Sequence, residues 1–274
     1  MHANYGLVIL SFNHPELTEK CVRSVLELGF PVTQIFLVHN GSEKKWVQQL
    51  KLHFGEAQHV ILPFNKGYSG GANAGFLQAF SLYDEVFMLT NDTEMLSLPE
   101  KFPKDIDLIA PVILKRQTET IDSLMGYFDS KTGDLRHIRD SRELHIQSLG
   151  FYVPGTAFGL RKSCFNKLNG FDESFHTYWE DVDFSLRAQD ENFKLGHSNL
   201  FQLRHKIGKT CHKDRFYTLY LFQRNRRKLM KKRGLASPTF YFHYFLTMLR
   251  LLKNILIKPN RRAPLLLWWK AIYE

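Results

Sequence analysis

Tyr5-Gly6-Leu7-Val8-Ile9-Leu10 is a continuous apolar run. A strand that is apolar on both faces has to be covered on both faces, which is the situation of a parallel sheet under helices. Ser11-Phe12-Asn13 follows at its carboxyl end. Pro15-Glu16-Leu17 then opens a helix with Leu17, Cys21, Val22, Val25 and Leu28 on one face, and Gly29 ends it. Gln34-Ile35-Phe36-Leu37-Val38 reads as a second strand, with His39-Asn40-Gly41-Ser42 as its exit turn. Two βα units in succession confine the chain to the α/β class, with a doubly wound, mostly parallel sheet flanked by helices.

In such sheets ligands bind at the carboxyl ends of the strands, so the residues there carry the argument. His59-Val60-Ile61-Leu62 is a short third strand that runs into Asn65-Lys66-Gly67-Tyr68-Ser69-Gly70-Gly71-Ala72-Asn73-Ala74-Gly75. Four glycines in this stretch let backbone approach a ligand and expose N–H groups, and the following helix is expected to start near Gly70. It is not a P-loop, because no Gly-Lys-Ser/Thr follows at the required spacing. Glu85-Val86-Phe87-Met88-Leu89 is a fourth strand ending in Thr90-Asn91-Asp92-Thr93-Glu94. Asp92 is a candidate metal ligand there; the alternative is an Asx turn that closes the strand. Leu108 to Leu114 reads as a further strand, residues 115–150 as a polar excursion over the site, and Gly155 to Leu160 as a small-residue strand before a helix from Lys162 to Leu168.

Tyr178-Trp179-Glu180-Asp181-Val182-Asp183 places three carboxylates within four residues, ahead of a helix-like run. At a helix N-terminus the dipole favours the ionised form, and an ionised carboxylate aimed at a cleft serves as a general base. The competing reading is an acidic first turn that only caps the helix.

The net charge of +10 is unevenly placed. Residues 204–274 hold 18 of the 37 Lys/Arg and only 2 of the 27 Asp/Glu. The chain therefore divides into an acidic body, residues 1–215, and a basic helical extension, residues 216–274. Residues 240–257 carry a stripe of Tyr241, Tyr244, Phe245, Met248, Leu249, Leu252, Ile255 and Leu256, with His243, Thr247, Arg250 and Asn254 on the other side. This stripe docks on an anionic membrane face or packs on the body. No nucleic-acid motif accompanies the charge, so nucleic acid is not an expected partner. Cys21, Cys164 and Cys211 lie far apart and suit free thiols in a reducing compartment. The apolar run from Leu7 to Leu10 is too short for a signal peptide, and no stretch reaches the length of a membrane span. The expected location is the cytoplasm, peripheral on the inner face of the plasma membrane.

These stretches, in this order, resemble the family-2 glycosyltransferases of GT-A fold, in particular their rhamnosyltransferase-like branch. Ser11-Phe12-Asn13 matches the family's strand-Thr-Tyr-Asn opening, and Val38-His39-Asn40-Gly41-Ser42 its Val-Asp-Asn-Gly-Ser turn. Asn65 to Gly75 matches its Asn-x-Gly…Gly-x-Asn-x-Gly segment, and Leu89 to Asp92 its Asp-x-Asp-like metal site. Gly170-Phe171-Asp172-Glu173 with Glu180-Asp181 matches its Gly-Phe-Asp-Glu…Glu-Asp signature, and Arg224-Asn225 an Arg-Asn pair in its C-terminal helix.

The resemblance implies an inverting transfer of a sugar from a nucleoside-diphosphate sugar to a hydroxyl of a glycan or lipid-linked acceptor, with rhamnose from dTDP-rhamnose the favoured donor. It implies donor contacts from Ser11, Phe12, Asn13, His39, Asn40, Asn65, Lys66, Gly67, Gly71, Asn73 and Asn91. It further implies a divalent cation, Mn²⁺ or Mg²⁺, on Asp92 and His205, with Asp181 as general base and Trp179 and Glu180 at the acceptor; the alternative for His205 is a phosphate or solvent contact beside Lys206. Asp183 falls to structure. Two departures matter: His39 stands where the family has an Asp that contacts the base, and Thr90 or Asn91 replaces the first acid of the metal motif. A sugar-phosphate nucleotidyltransferase would need a Gly-rich, Arg/Lys-containing loop after the first strand, which Ser11-Phe12-Asn13-His14-Pro15 lacks. A non-catalytic polyanion-binding protein explains the basic tail but leaves the Glu-Asp and Gly-rich stretches idle.

Overall fold

The computed structural model describes residues 4–115, 118–145, 150–205, 215–256 and 262–273. Strand β1 (Gly6–Ser11), helix α1 (Pro15–Glu27), β2 (Ile35–Asn40), α2 (Lys44–His53), β3 (Gln58–Leu62), α3 (Gly67–Ala79) and β4 (Glu85–Thr90) form the expected alternation. Next come β5 (Thr93–Ser97), β6 (Leu108–Leu114), β7 (Ile121–Ser123), β8 (Met125–Phe128), β9 (Leu135–Ile138), β10 (Phe151–Tyr152) and β11 (Ala157–Arg161). The chain continues with α4 (Lys162–Leu168), α5 (Glu180–Asp190), β12 (Leu195–His205), α6 (Arg215–Lys232), α7 (Pro238–Leu256) and α8 (Arg262–Tyr273).

The main sheet has the order β3-β2-β1-β4-β11-β6-β12-β5, with β7 paired to β6. β3, β2, β1 and β4 run parallel, while β11 runs antiparallel between β4 and β6. β8 and β9 of the polar excursion form a small second sheet with β10, which follows it, in the order β10-β8-β9.

Side chains alternate across β1 and β2 as the pleat requires. Leu7, Ile9 and Leu37 meet Cys21, Val22 and Val25 of α1, while Val8, Leu10 and Val38 meet Ala72 and Phe76 of α3. α3 starts at Gly67, three residues before the expected Gly70. Its glycines are there for packing: a Cβ at Gly75 would stand 2.6 Å from Val8 Cγ1 and 2.8 Å from Val38 Cγ2. The bare backbone lets α3 lie directly on the sheet.

A third core joins the C-terminal helices to the body. Phe128, Phe175, Trp179 and Val182 are buried together with Leu221, Leu229 and Met230 of α6 and Phe240, Tyr244 and Met248 of α7. Burial of Phe175 alone contributes about 1.5–3 kcal/mol. α6 begins at the expected division near residue 215, but the apolar core runs across it.

Several basic residues of α6 turn toward the body. Arg226 is buried and pairs with Asp134 at 2.8 Å; Arg233 pairs with Asp190. Lys232 reaches Asp172 and Asp183, both at 2.7 Å, and Lys228 donates to Ser174 O. Arg226, Lys232 and Arg233 are thus paired with carboxylates of the body. The stripe on α7 also divides. Tyr244, Met248 and Ile255 are buried, while Tyr241, Phe245, Leu249 and Leu256 remain exposed, as does Phe242 beside them. Among the described residues no helix is long and apolar enough to cross a membrane.

Candidate active site

Strand ends supply one half of the site. Asp92 follows β4 and is buried; Thr90 Oγ1 donates to its Oδ1 at 2.8 Å. β12 pairs with β5 so that His205 lies opposite Thr93, which brings His205 Nε2 to 3.4 Å from Asp92 Oδ2. The two residues expected to hold a metal therefore face each other. Carboxylate oxygens and imidazole nitrogens bind divalent ions at about 2.0–2.2 Å, so neighbouring ligands on one ion stand about 3 Å apart. The observed separation fits a shared cation. Among the described residues no group of three or more His, Cys, Asp or Glu forms a metal site, so the remaining ligands would come from phosphate oxygens and water, as is usual for Mg²⁺ at phosphates. Lys206 to Thr210 and Cys211 lie outside the described residues; Cys21 and Cys164 are buried and not joined in a disulfide.

The second half comes from the turn into α5. His176, Tyr178 and Trp179 have φ of 61°, 70° and 74°. Left-handed backbone in non-glycine residues costs on the order of 1–3 kcal/mol per residue and persists only when the surroundings enforce it. The turn delivers Glu180 and Asp181. Asp181 Oδ2 accepts the Gly155 N–H at 2.9 Å, and Oδ1 accepts that of Val182 at 2.8 Å. Next to Gly155, the Thr156 carbonyl accepts the Thr90 N–H at 2.9 Å. The Gly155-Thr156 segment therefore bridges the Asp181 side to the Asp92 side.

Burial raises the Asp181 carboxyl above its ordinary range, against the opposing effect of the Gly155 and Val182 N–H groups. Glu180 is pushed well up, first by burial and then by the charge of Asp181. This corrects the expectation that the helix dipole sets the ionisation. A helix terminus contributes about 0.3–1 kcal/mol at exposed sites, whereas full burial shifts a group by up to about 3–5 pKa units at 1.36 kcal/mol each. Burial wins here. Glu180 Oε2 is buried without a hydrogen-bond partner among the described residues.

Trp179 also differs from expectation. It is 2% exposed, with its ring against Phe128 and Phe222, so it offers no face to an acceptor sugar. Asp183 is fully buried and pairs with Arg187 at 2.8 Å and with Lys232, a structural role as read from the sequence.

The expected donor residues take several positions. Ser11 and Asn91 are buried, and both bind Thr18 Oγ1 of α1, at 2.7 and 2.9 Å. Asn40 Nδ2 donates to Gly67 O and Asn65 Oδ1, while its Oδ1 accepts the Lys66 N–H at 2.9 Å. Asn73 grips Phe171 through both N–H and carbonyl and reaches Glu173 Oε1 at 3.1 Å. Asn13 joins its loop to Ser42 and Glu43. A Cβ at Gly71 would stand 2.6 Å from Leu10 Cδ1 and 2.8 Å from Asn40 Nδ2; one at Gly67 would strike the His176 carbonyl. These residues frame the site. Phe12, at 37% exposure, and the half-buried Lys66 present side chains to solvent.

His39 is fully buried, and its Nε2 lies 2.8 Å from His59 Nδ1. His59 Nε2 lies 3.0 Å from the Phe54 carbonyl, so that nitrogen carries the proton. His59 Nδ1 then accepts, and His39 Nε2–H donates. His39 Nδ1 is left as a buried lone pair without a partner among the described residues.

Sequence reasoning missed Thr18 and the work of Thr90 and Asn225. A Thr one turn into α1 carries no signal on its own.

A sequence profile of glycosyl transferase family 2 matches residues 7–168, more than half of the chain. The chain belongs to glycosyl transferase family 2. This family-2 glycosyltransferase is 23% identical over 233 residues to the low-salt glycan biosynthesis hexosyltransferase Agl10 of Haloferax volcanii, covering 76% of this chain and 71% of that protein. It superposes on the crystal structure of GalNAc-T7 with UDP, GalNAc and Mn²⁺ with a TM-score of 0.62 at 14% identity; the match covers 84% of this chain and 48% of that chain. The mannosyltransferase PcManGT of Pyrobaculum calidifontis, in complex with GDP-Man and Mn²⁺, gives a TM-score of 0.57 at 10% identity over 99% of this chain and 74% of that chain. The fold of this glycosyltransferase is therefore of the GT-A type.

Proposed function

We propose that the enzyme is an inverting hexosyltransferase that moves a sugar from a nucleoside-diphosphate donor to a hydroxyl of a glycan or lipid-linked saccharide, with Asp181 as general base. The observation that carries this reading is the Gly155-Thr156 segment, which joins the Asp181 carboxylate to the strand end that bears Asp92. Asp181 takes the proton of the acceptor hydroxyl as its oxygen bonds to the anomeric carbon. The bond from that carbon to the diphosphate oxygen breaks from the opposite side, and the electron pair leaves with the diphosphate. Asp92 and His205 would hold a divalent cation, Mn²⁺ or Mg²⁺, which neutralises charge on the leaving diphosphate. Lys66, beside the strand ends, suits the same phosphates. Glu180, beside Asp181, is the carboxyl group assigned to the acceptor. Rhamnose from a dTDP donor remains the favoured sugar.

The acceptor reading extends to the C-terminal helices. Phe242, Phe245, Leu249 and Leu256 of α7 and Leu266 and Trp269 of α8 are exposed apolar side chains. Arg250, Lys253 and Lys270 are exposed on the same helices, and α7 and α8 contain no Asp or Glu. An apolar stripe with only positive charge around it fits an anionic lipid surface.

A panel of nucleotide sugars tested by thermal shift with and without Mn²⁺ examines the donor reading. Selective stabilisation by one nucleotide sugar, greater with Mn²⁺, supports it. No stabilisation by any of them contradicts it.

A further inference from the structure

We propose that Asn225 of α6 is a positioning residue that sets the general base; the inference rests on the role of Asp181 given above. Asn225 is fully buried, and its Nδ2 donates to the carbonyls of Phe175, Thr177 and Tyr178 at 2.8, 2.9 and 2.8 Å. These three carbonyls belong to the left-handed turn that ends at Glu180-Asp181. Arg224 fixes the orientation of the amide: its Nε and Nη2 donate to Asn225 Oδ1 at 3.0 and 2.9 Å. The nitrogen is thereby obliged to face the turn.

The other side of the turn rests on α3. Ser69 N–H donates to the His176 carbonyl at 3.2 Å, and Tyr68 N–H to Thr177 Oγ1 at 3.3 Å. One side chain from the C-terminal helices thus presses a strained turn against the Gly-rich helix. Strained backbone of this kind relaxes when its enforcing contacts are lost. Asp181 follows three residues after the last carbonyl held. Release of the turn moves Asp181 off the Gly155 N–H and lets water reach its carboxyl group. Asn225 touches neither substrate nor cation; it acts through the turn.

Asn225→Asp keeps the shape and replaces the donor with an acceptor. Arg224→Lys leaves Asn225 in place but removes one of the two donors that orient it, and serves if Asn225→Asp does not fold. Turnover at saturating acceptor, donor affinity by calorimetry, melting temperature and the pH profile of kcat are measured for both, with Asp181→Asn alongside. A displacement of about 1 Å at a reacting group costs on the order of 10²-fold. Asn225→Asp is expected to lose between about 10-fold and 10²-fold in kcat at temperatures well below its melting point. Its acidic limb should shift and its donor affinity should stay within about twofold; Arg224→Lys, which adds no charge of its own, should show a smaller loss of kcat. A lowered melting temperature with unchanged kcat and pH profile in the folded enzyme overturns the proposal and leaves Asn225 a stability residue. If Asp181→Asn retains turnover, the base assignment falls, and the positioning role falls with it.

Discussion

His205 Nε2 lies 3.4 Å from Asp92 Oδ2, across an antiparallel pairing of β12 with β5. Thr90 Oγ1 holds the Asp92 carboxylate from two residues away, and the sheet register brings His205 to it. If they share a cation with the donor diphosphate, Asp92→Ala should lower nucleotide-sugar affinity by tenfold or more, roughly 1.4 kcal/mol, and abolish its dependence on Mn²⁺. His205→Ala should weaken affinity in Mn²⁺ and change little in EDTA. Calorimetric titrations in which wild type and both variants bind alike in EDTA and in Mn²⁺ would remove the cation from the account.

The buried His39–His59 pair gives a pH dependence of stability with a definite sign. Burial, then the charge of His59 and of Lys51, lowers His39 to about 4, and burial also lowers His59. The unfolded chain binds the His39 proton near 6.5. Between about 4 and 6.5 it therefore holds more protons than the folded chain, and stability is lost as pH falls through that window. The His39 contribution lost at pH 5 is on the order of 2 kcal/mol. Urea denaturation at pH 7 and pH 5 measures it, and His39→Phe should flatten the difference. An equal slope in wild type and variant counts against the pair.

Much of this was legible beforehand, for stated reasons. β1, β2 and β4 are apolar runs buried on both faces, so their sequence declares them. β12 is eleven residues long and escaped notice because much of it is half-exposed, polar at His197, Ser198 and Asn199, and interrupted by a register shift between Ser198 and Gln202. The acids of α5 were visible, but their charge state was not, because burial depends on α6 and the Gly155 segment. Trp179 looked like a sugar platform; its neighbours Phe128 and Phe222 lie far away in sequence and cover it. The asparagines of the motifs carry no mark that separates a ligand contact from a frame contact.

The exposed stripe of α7 and α8 leads to a membrane prediction. Basic residues near an anionic surface contribute roughly 1 kcal/mol each, and salt screens them. The protein should float with vesicles rich in phosphatidylglycerol or phosphatidylserine and be released by salt. Phe245→Glu with Leu249→Glu should abolish flotation without loss of turnover on a water-soluble acceptor. Flotation with neutral vesicles to the same extent, or with neither kind, contradicts a charge-guided docking surface.

The central claim is that Asp181 takes the acceptor proton. Because burial raises its carboxyl group, kcat should fall with decreasing pH on a limb above the ordinary carboxylate range. The direct measurement is the turnover of Asp181→Asn with the true acceptor, beside its donor affinity. Loss of a general base costs about 10² to 10⁴ in rate, so kcat should fall by that amount while donor affinity holds, since the donor rests on the strand ends. A variant with near wild-type turnover, and an acidic limb unchanged from the parent, would show that Asp181 only caps α5.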